Sequence, residues 1–287
     1  MKFGLIANLK REGAQEAISF FINWADKSHN ELLLCDEIEE LADTNLKFLP
    51  RTQVGKESDI LVTMGGDGTL LASARAVGNS GTPILGINLG SLGFLTQLTP
   101  QQLLPALDSI IKGEYQIEKR MLLKIEANGI EEVESKYALN DVVIDNGPIS
   151  RIIDINLSVN GENIITYKAD GLIIATPTGS TAYSLAVGGP IMHPKMEAMI
   201  AAPVSAFSLN TRPMIFSPGD KLELKVISPD HQANITLDGQ VSLPLNGSSS
   251  VTITQADYYT NFIVFPHNSF YQVLRNKLHW GYSAQYR

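Results

Sequence analysis

Ile60-Leu61-Val62-Thr63-Met64-Gly65-Gly66-Asp67-Gly68-Thr69-Leu70-Leu71 is the stretch that decides how this chain folds. The apolar run from Ile60 to Met64 reads as a buried strand, and an apolar-periodic helix begins near Leu70. Between them, three glycines let the backbone turn sharply and approach a ligand closely. Outward from this unit the same alternation continues, with strands at Phe3 to Ala7, Leu32 to Leu34 and Ile84 to Ile87, and helical spacing at Glu16 to Trp24 and Leu70 to Val77. Strand, helix, strand predicts an α/β domain around a mainly parallel sheet. The acidic segment Asp36 to Asp43 reads as a solvated face or loop.

Beyond about Tyr115 the texture changes. Leu122 to Ala127, Val142 to Asp145, Ile152 to Val159 and Leu222 to Ile227 are β-rich, and Asn128-Gly129, Asn160-Gly161, Asp238-Gly239 and Asn246-Gly247 are hairpin signals. A β-rich domain therefore follows the α/β one. Thr99-Pro100-Gln101 has the form of an N-cap and first turn, opening a helix over Leu103 to Ile111 that marks the boundary. Phe270, Val273, Leu274 and Leu278 share one helical face near the end, so that helix is expected to pack back on the first domain. The expected division is 1–98 together with 266–287, and 99–265.

Composition narrows the function classes. Hydrophobic residues at 44% and charged residues at 18% give a globular core and exclude a disordered or coiled-coil chain. A net charge of −8, without Lys/Arg runs, argues against a nucleic-acid partner. No apolar run approaches the ~20 residues of a membrane helix, and the N-terminal apolar stretch is too short for a signal peptide. The single cysteine, Cys35, follows Leu32-Leu33-Leu34 and is expected to be a buried, inert thiol. A reducing, cytoplasmic location fits. The five histidines, His29, His193, His231, His267 and His279, show no metal-ligand spacing, and no Gly-x-Ser-x-Gly elbow supports a hydrolase.

Two segments carry chemistry. In Gly65-Gly66-Asp67-Gly68-Thr69, helix-start amides point toward an anion and a carboxylate sits among them. That suits activation of a hydroxyl for attack on a phosphoryl group. The plainer alternative is a tight turn with Asp67 as a cap. The pattern is neither the Gly-x-Gly-x-x-Gly fingerprint nor a P-loop. The second segment, Thr176-Pro177-Thr178-Gly179-Ser180-Thr181-Ala182-Tyr183-Ser184-Leu185-Ala186-Val187-Gly188-Gly189-Pro190, follows the strand Leu172 to Ala175. It gathers hydroxyls and Tyr183 near an expected helix N-terminus, a setting for a nucleotide base and a phosphate. Its plainer alternative is a Ser/Thr cap before a small-residue helix.

Together with Leu139-Asn140-Asp141-Val142-Val143, Asp170-Gly171 and the closing Phe270-Tyr271-Gln272-Val273-Leu274-Arg275, these segments resemble the bacterial NAD kinase family over essentially the whole chain. The glycine-aspartate loop alone is shared with lipid kinases and, more loosely, phosphofructokinases; the Thr176 to Pro190 segment is far more specific. The resemblance implies ATP-dependent phosphorylation of the 2′-hydroxyl of the adenosine ribose of NAD, giving NADP, with a divalent cation such as Mg²⁺. It also implies a nucleotide-binding α/β domain, a β-sandwich-like NAD-binding domain, a site in the crevice between them, and a homodimer or homotetramer.

Carried over residue by residue, the resemblance makes Asp67 the general base and Gly68 its ribose-side neighbour. Gly65, Gly66, Gly68 and Thr69 become the ATP-phosphate turn. Asn140 and Asp141 match an Asn-Glu pair holding adenosine, with the shorter Asp141 a departure. Lys168 stands where many bacterial members have Arg; it keeps the charge but lacks the bidentate fork. Asp170 matches a carboxylate near the nicotinamide half. Thr178, Thr181, Ala182, Tyr183, Ser184, Leu185 and Ala186 match the segment enclosing adenine and ribose, and Gln240 and Arg151 match further dinucleotide contacts. No protein metal ligand is expected. The rival readings are a lipid or sugar kinase using the same glycine-aspartate loop, and a non-catalytic NADP sensor.

Overall fold

Lys2–Ala7, Glu31–Cys35, Lys47–Leu49, Ile60–Gly65 and Ile84–Asn88 pair in parallel in the computed structural model of this chain. The structure describes residues 1–41, 46–96, 98–127, 136–147, 152–227, 233–245, 249–266 and 269–280. Arg151, His231, His267, Asn128-Gly129 and Asn246-Gly247 lie outside the described residues.

By packing, the chain divides into two units, residues 1–119 with 260–287, and residues 120–259. In the first unit the sheet order places Lys2–Ala7 between Glu31–Cys35 and Ile60–Gly65. The chain winds outward through Glu31–Cys35 and Lys47–Leu49, then returns to the other side of its first strand. That reversal makes the carboxyl ends of Lys2–Ala7 and Ile60–Gly65 the topological switch point, where ligands bind in open α/β sheets. The strands are buried on both faces, as crossover helices require. Ala14–Lys27 buries Ala14, Ala17, Ile18, Phe21 and Ala25, the spacing of one helical face. Asp67–Val77 is buried almost all round because it is built of small and apolar residues.

The expected boundary helix forms as Leu103–Ile111, preceded by a capping box between Thr99 and Gln102. Its buried Leu103, Ala106, Leu107 and Ile110 pack with Phe3, Leu5, Ile87 and Leu89, so it falls with the first unit. Relative to the expected breaks at 98/99 and 265/266, the units meet at 119/120 and 259/260. The closing helix Phe270–Leu278 also groups with the first unit. In the acidic segment, Asp36–Leu41 is a 3₁₀ turn that buries Ile38 and keeps Asp36, Glu37 and Glu39 exposed as the expected solvated face, with Glu37 paired to Arg51; Asp43 lies outside the described residues.

The second unit is β-rich, with two antiparallel sheets. One has the order Met214–Phe216, Met199–Val204, Gly171–Ala175, Asp141–Asp145, Ala233–Leu237, Val241–Leu245. The other joins Glu162–Ala169, Ile153–Val159, Leu222–Val226 and the Ser250–Ile253 part of a long strand. Val142, Ile144, Leu172, Ile174, Met199 and Ala201 meet Ile153, Ile155, Leu157, Leu222 and Leu224 in one core, which is a sandwich. The alternate residues Val143, Ile173, Ala175, Ile200 and Ala202 point the other way and are covered with Met192 and Ala198. This sheet is thus buried on both faces, and the 176–198 segment lies over its outer one. Two of the hairpin signals form tight turns with positive φ at both named positions: Asn160 and Gly161, at 52° and 86°, make a two-residue loop, and Asp238 and Gly239, at 52° and 63°, open the three-residue loop that Gln240 completes. Asn and Asp followed by Gly tolerate that backbone best.

Candidate functional site

Gly65 ends its strand, Gly66 is extended, and the helix starts at Asp67. The amides of Thr69 and Leu70 turn back to the Gly66 carbonyl and close the first turn. A side chain at Gly65 would strike Thr69, its Cβ lying 2.3 Å from Oγ1, so glycine is needed there for close approach.

Asp67 does not cap its own helix. Its carboxylate reaches across to residues 94–96, where Oδ2 accepts the Phe94 amide at 2.9 Å. Oδ1 accepts the Leu95 amide at 3.1 Å, the Thr96 amide at 3.0 Å and the Thr96 hydroxyl at 3.0 Å. A carboxylate offers about four lone-pair sites in all. Oδ1 is saturated, while among the described residues Oδ2 carries a single bond and keeps room for a further donor. A Cβ on Gly93 would lie 2.0 Å from Asp67 Oδ1, so only glycine lets this loop come so near. The cap alternative read from the sequence is replaced by a clamp on a loop 27 to 29 residues away.

Two further groups stand at the same strand ends. Asn88 donates from Nδ2 to Thr96 Oγ1 at 2.6 Å and accepts the Gly90 amide on Oδ1 at 2.7 Å. Arg11 follows the first strand, and ideal Cβ positions on Gly66 and Gly90 would lie 3.5 and 3.7 Å from its guanidinium nitrogens. Among the described residues that guanidinium makes no hydrogen bond or ion pair. It also lines a cleft of about 610 Å³ with Gly13, Gln15 and Ser19. A basic residue after the first strand, and the glycine-rich run Gly90 to Thr96 after Ile84–Asn88, were the signals available for these groups.

In the second unit, Asp141 begins its strand and is 4% exposed. Asp238, in the Asp238-Gly239 turn, accepts the amides of Leu139 at 3.1 Å, Asn140 at 2.7 Å and Asp141 at 3.3 Å. Burial first, and then the neighbouring Asp238 charge, push the Asp141 carboxyl up to about 7. Thr176 clasps the same turn: its amide donates to the Asn140 carbonyl at 2.9 Å and its hydroxyl to the Leu139 carbonyl at 2.6 Å. Gly179 must be glycine, since a Cβ would sit 2.0 Å from the Asn140 carbonyl oxygen. Among the described residues, the Asn140 side-chain Oδ1 is buried without a hydrogen-bond partner, as is Ser184 Oγ. A buried acceptor with no donor invites one from a ligand.

The expected small-residue helix is instead a 3₁₀ turn, Gly179–Thr181, and one helical turn, Tyr183–Ala186. Ser180 Oγ donates to the Pro177 carbonyl and Thr181 Oγ1 to the Thr178 carbonyl, so these hydroxyls offer the backbone turns in place of a helix. Thr178 is buried and accepts from Arg120 Nη1 at 3.3 Å; Ala182 and Leu185 are half-buried, and Tyr183 and Ala186 exposed. Asn140, Asp141, Thr178, Thr181 and Gln240 thus belong to one unit whose turn at 139–141 is gripped from two sides. Lys168 and Gln240 are exposed and Asp170 half-buried.

Cys35 is fully buried and free, and burial raises its thiol, as expected of an inert cysteine. Among the described residues, no helix is long and apolar enough to cross a membrane.

Comparison with known proteins bears on both units. Residues 6–115 match the family model of the ATP-NAD kinase N-terminal domain, and residues 139–265 that of the ATP-NAD kinase C-terminal domain. The chain is 41% identical over 232 residues to an NAD kinase of Geotalea daltonii, covering 80% of this chain and 82% of that one. It is 39% identical over 280 residues to an NAD kinase of Caldanaerobacter subterraneus, covering 96% and 98%. Among solved structures, yeast NADH kinase complexed with NADH superposes at a TM-score of 0.88 with 23% identity, covering 100% of this chain and 90% of that one. An Archaeoglobus fulgidus NAD kinase in complex with ATP superposes at 0.78 with 24% identity, covering 97% and 99%. These two share the fold of this chain.

Proposed function

The chain belongs to the ATP-NAD kinase family, and from that premise we propose that it transfers the γ-phosphoryl group of ATP to the 2′-hydroxyl of the adenosine ribose of NAD, with Asp67 as general base. The observation that carries the reading is the Asp67 carboxylate, fixed at a helix start with Oδ1 saturated and Oδ2 open to a donor. Oδ2 accepts the proton of the hydroxyl as its oxygen attacks in line. The glycine turn Gly65, Gly66, Gly68 and Thr69, with the cationic Arg11 beside Gly66, neutralises the donor phosphates as charge shifts. Asn140 and Asp141 hold the adenosine, with the buried Asn140 Oδ1, which has no partner among the described residues, accepting from it. Thr178, Thr181, Ala182, Tyr183, Ser184, Leu185 and Ala186 enclose base and ribose; Lys168, Asp170, Gln240 and Arg151 complete the dinucleotide contacts.

A divalent cation accompanies the ATP phosphates in this reading and needs no ligand from the chain. Mg²⁺ keeps several waters and is held largely through substrate phosphates, so it can ride on the ATP phosphates beside the glycine turn while the open site on Asp67 Oδ2 stays free for the acceptor hydroxyl. Bound there, Mg²⁺ would offset the charge of the polyphosphate. We also assign the protein to the cytoplasm, with which the buried free thiol agrees, and to a homodimer or homotetramer. Exposed Phe207, Leu209 and Ile215 on and before an edge strand of the second unit support such a contact.

The family-model matches at 6–115 and 139–265 span both motif segments and favour NAD over a lipid or sugar acceptor. The test is phosphorus NMR of the product formed from NAD, ATP and Mg²⁺. A 2′-phosphomonoester, and none from 2′-deoxy-NAD, is expected; a product from the deoxy compound would overturn the assignment. NADP binding without turnover would favour the sensor.

A further inference from the structure

The hydrogen bonds around Asp67 have a direction that can be read without seeing a proton. The Gly90 amide can only donate, so the Asn88 oxygen it reaches is Oδ1, and Asn88 turns its NH₂ toward Thr96. That NH₂ can only donate, so Thr96 Oγ1 accepts it and sends its own single hydroxyl proton elsewhere. The other partner of Thr96 Oγ1 is Asp67 Oδ1, at 3.0 Å. Oδ1 therefore receives three donors and cannot carry a proton itself.

We propose that Thr96, oriented by Asn88, is a positioning residue of the phosphoryl transfer: it locks Asp67 so that Oδ2 alone takes up the proton of the acceptor hydroxyl. The inference rests on Asp67 being the base. It goes beyond that reading by assigning the proton to one oxygen and naming the side chains that decide which. Neither Thr96 nor Asn88 need touch a substrate. Thr96 is fully buried and Asn88 3% exposed, so the relay is shielded from competing water. Gly93 completes it, because a Cβ there would meet both Asp67 Oδ1 and Thr96 Oγ1, at 2.0 and 2.6 Å.

The test compares three variants of the full chain in NADP formation. Thr96→Val keeps the shape and deletes the hydroxyl; Thr96→Ser keeps the hydroxyl. Asn88→Asp preserves the acceptor for the Gly90 amide but removes the donor to Thr96. Thr96→Val is expected to lower kcat about 10- to 100-fold with KM for NAD and for ATP within about twofold, the loss that misplacing a reacting group brings. Thr96→Ser should restore kcat to within about twofold of wild type. Asn88→Asp should lower kcat, and the double variant Thr96→Val/Asn88→Asp should lose no more than the worse single, since both act through one relay. A kcat for Thr96→Val within twofold of wild type, equal loss in Val and Ser variants, or additive loss in the double variant would each overturn the proposal. If Asp67→Asn keeps wild-type kcat, the base assignment itself fails, which is a different result from any of these.

Discussion

Asp141 should make the folded protein less stable as pH rises from about 4 to about 7, and Asp141→Asn should remove that dependence. The carboxyl is 4% exposed at the start of a central strand, and Asp238 lies against the same turn, holding three amides on its two oxygens. Burial, with Asp238 adding to it, pushes the Asp141 carboxyl up from 3.8 to about 7. In the unfolded chain it titrates near the ordinary ~3.9. Between those values the native state holds a proton that the unfolded state has released. Stability is therefore highest below the unfolded value, falls through the window, and levels off above about 7. A difference near three pH units corresponds to a loss of order 4 kcal/mol. For a unit of this size that is a fall on the order of 10 °C in melting temperature. Melting measured at intervals from pH 4.5 to 8.5 should show this fall in wild type and a markedly flatter curve in Asp141→Asn. Parallel curves for the two proteins would refute the reasoning, since the variant lacks the titrating group.

Arg11→Ala should raise KM for ATP by about 10-fold or more, the loss of a charge-assisted bond to phosphate, and leave KM for NAD nearly unchanged; steady-state kinetics with each substrate varied would show an unchanged ATP KM if the cation plays no part. Gly93→Ala should abolish turnover and lower the melting temperature, because its methyl overlaps Asp67 Oδ1 and Thr96 Oγ1; an active, equally stable variant would show that the 93–96 loop does not hold the base. Asp238→Ala should destabilise the protein by about 2 to 5 kcal/mol, since it strands amides of the 139–141 turn, and denaturant unfolding measures it; a change under ~0.5 kcal/mol would remove Asp238 from that role.

The strand-turn-helix at 60–77 and the change to β-rich texture were legible because their signals are local: apolar runs, glycine, and Asn-Gly or Asp-Gly pairs. The boundary at 119/120 was not, because Leu103, Leu107 and Ile110 show a helix that needs an apolar partner but not which one. Over 176–190 the dense hydroxyls suggested a helix N-terminus, yet Ser180 and Thr181 bond to nearby carbonyls and break the helix that the spacing suggested. Asp67 itself stood out, but its four donors come from residues 94–96, and nothing near Asp67 in sequence hints at them. Asp238 looked like a turn residue for the same reason: its carboxylate serves amides 97 to 99 positions away.

The most direct test of the central claim is NADP formation by Asp67→Asn beside wild type, with NAD affinity measured by calorimetry. Asn can keep its oxygen toward Leu95 and Thr96 but sets an NH₂ against the Phe94 amide, so a loss of about 1 to 3 kcal/mol in stability is expected, and kinetics are read well below the melting temperature. With Asp67 as the base, kcat falls by ~10² to 10⁴ while NAD still binds within a few-fold of wild type. Turnover within tenfold of wild type would contradict it, and Asp67 would then be a clamp for its loop and not the base.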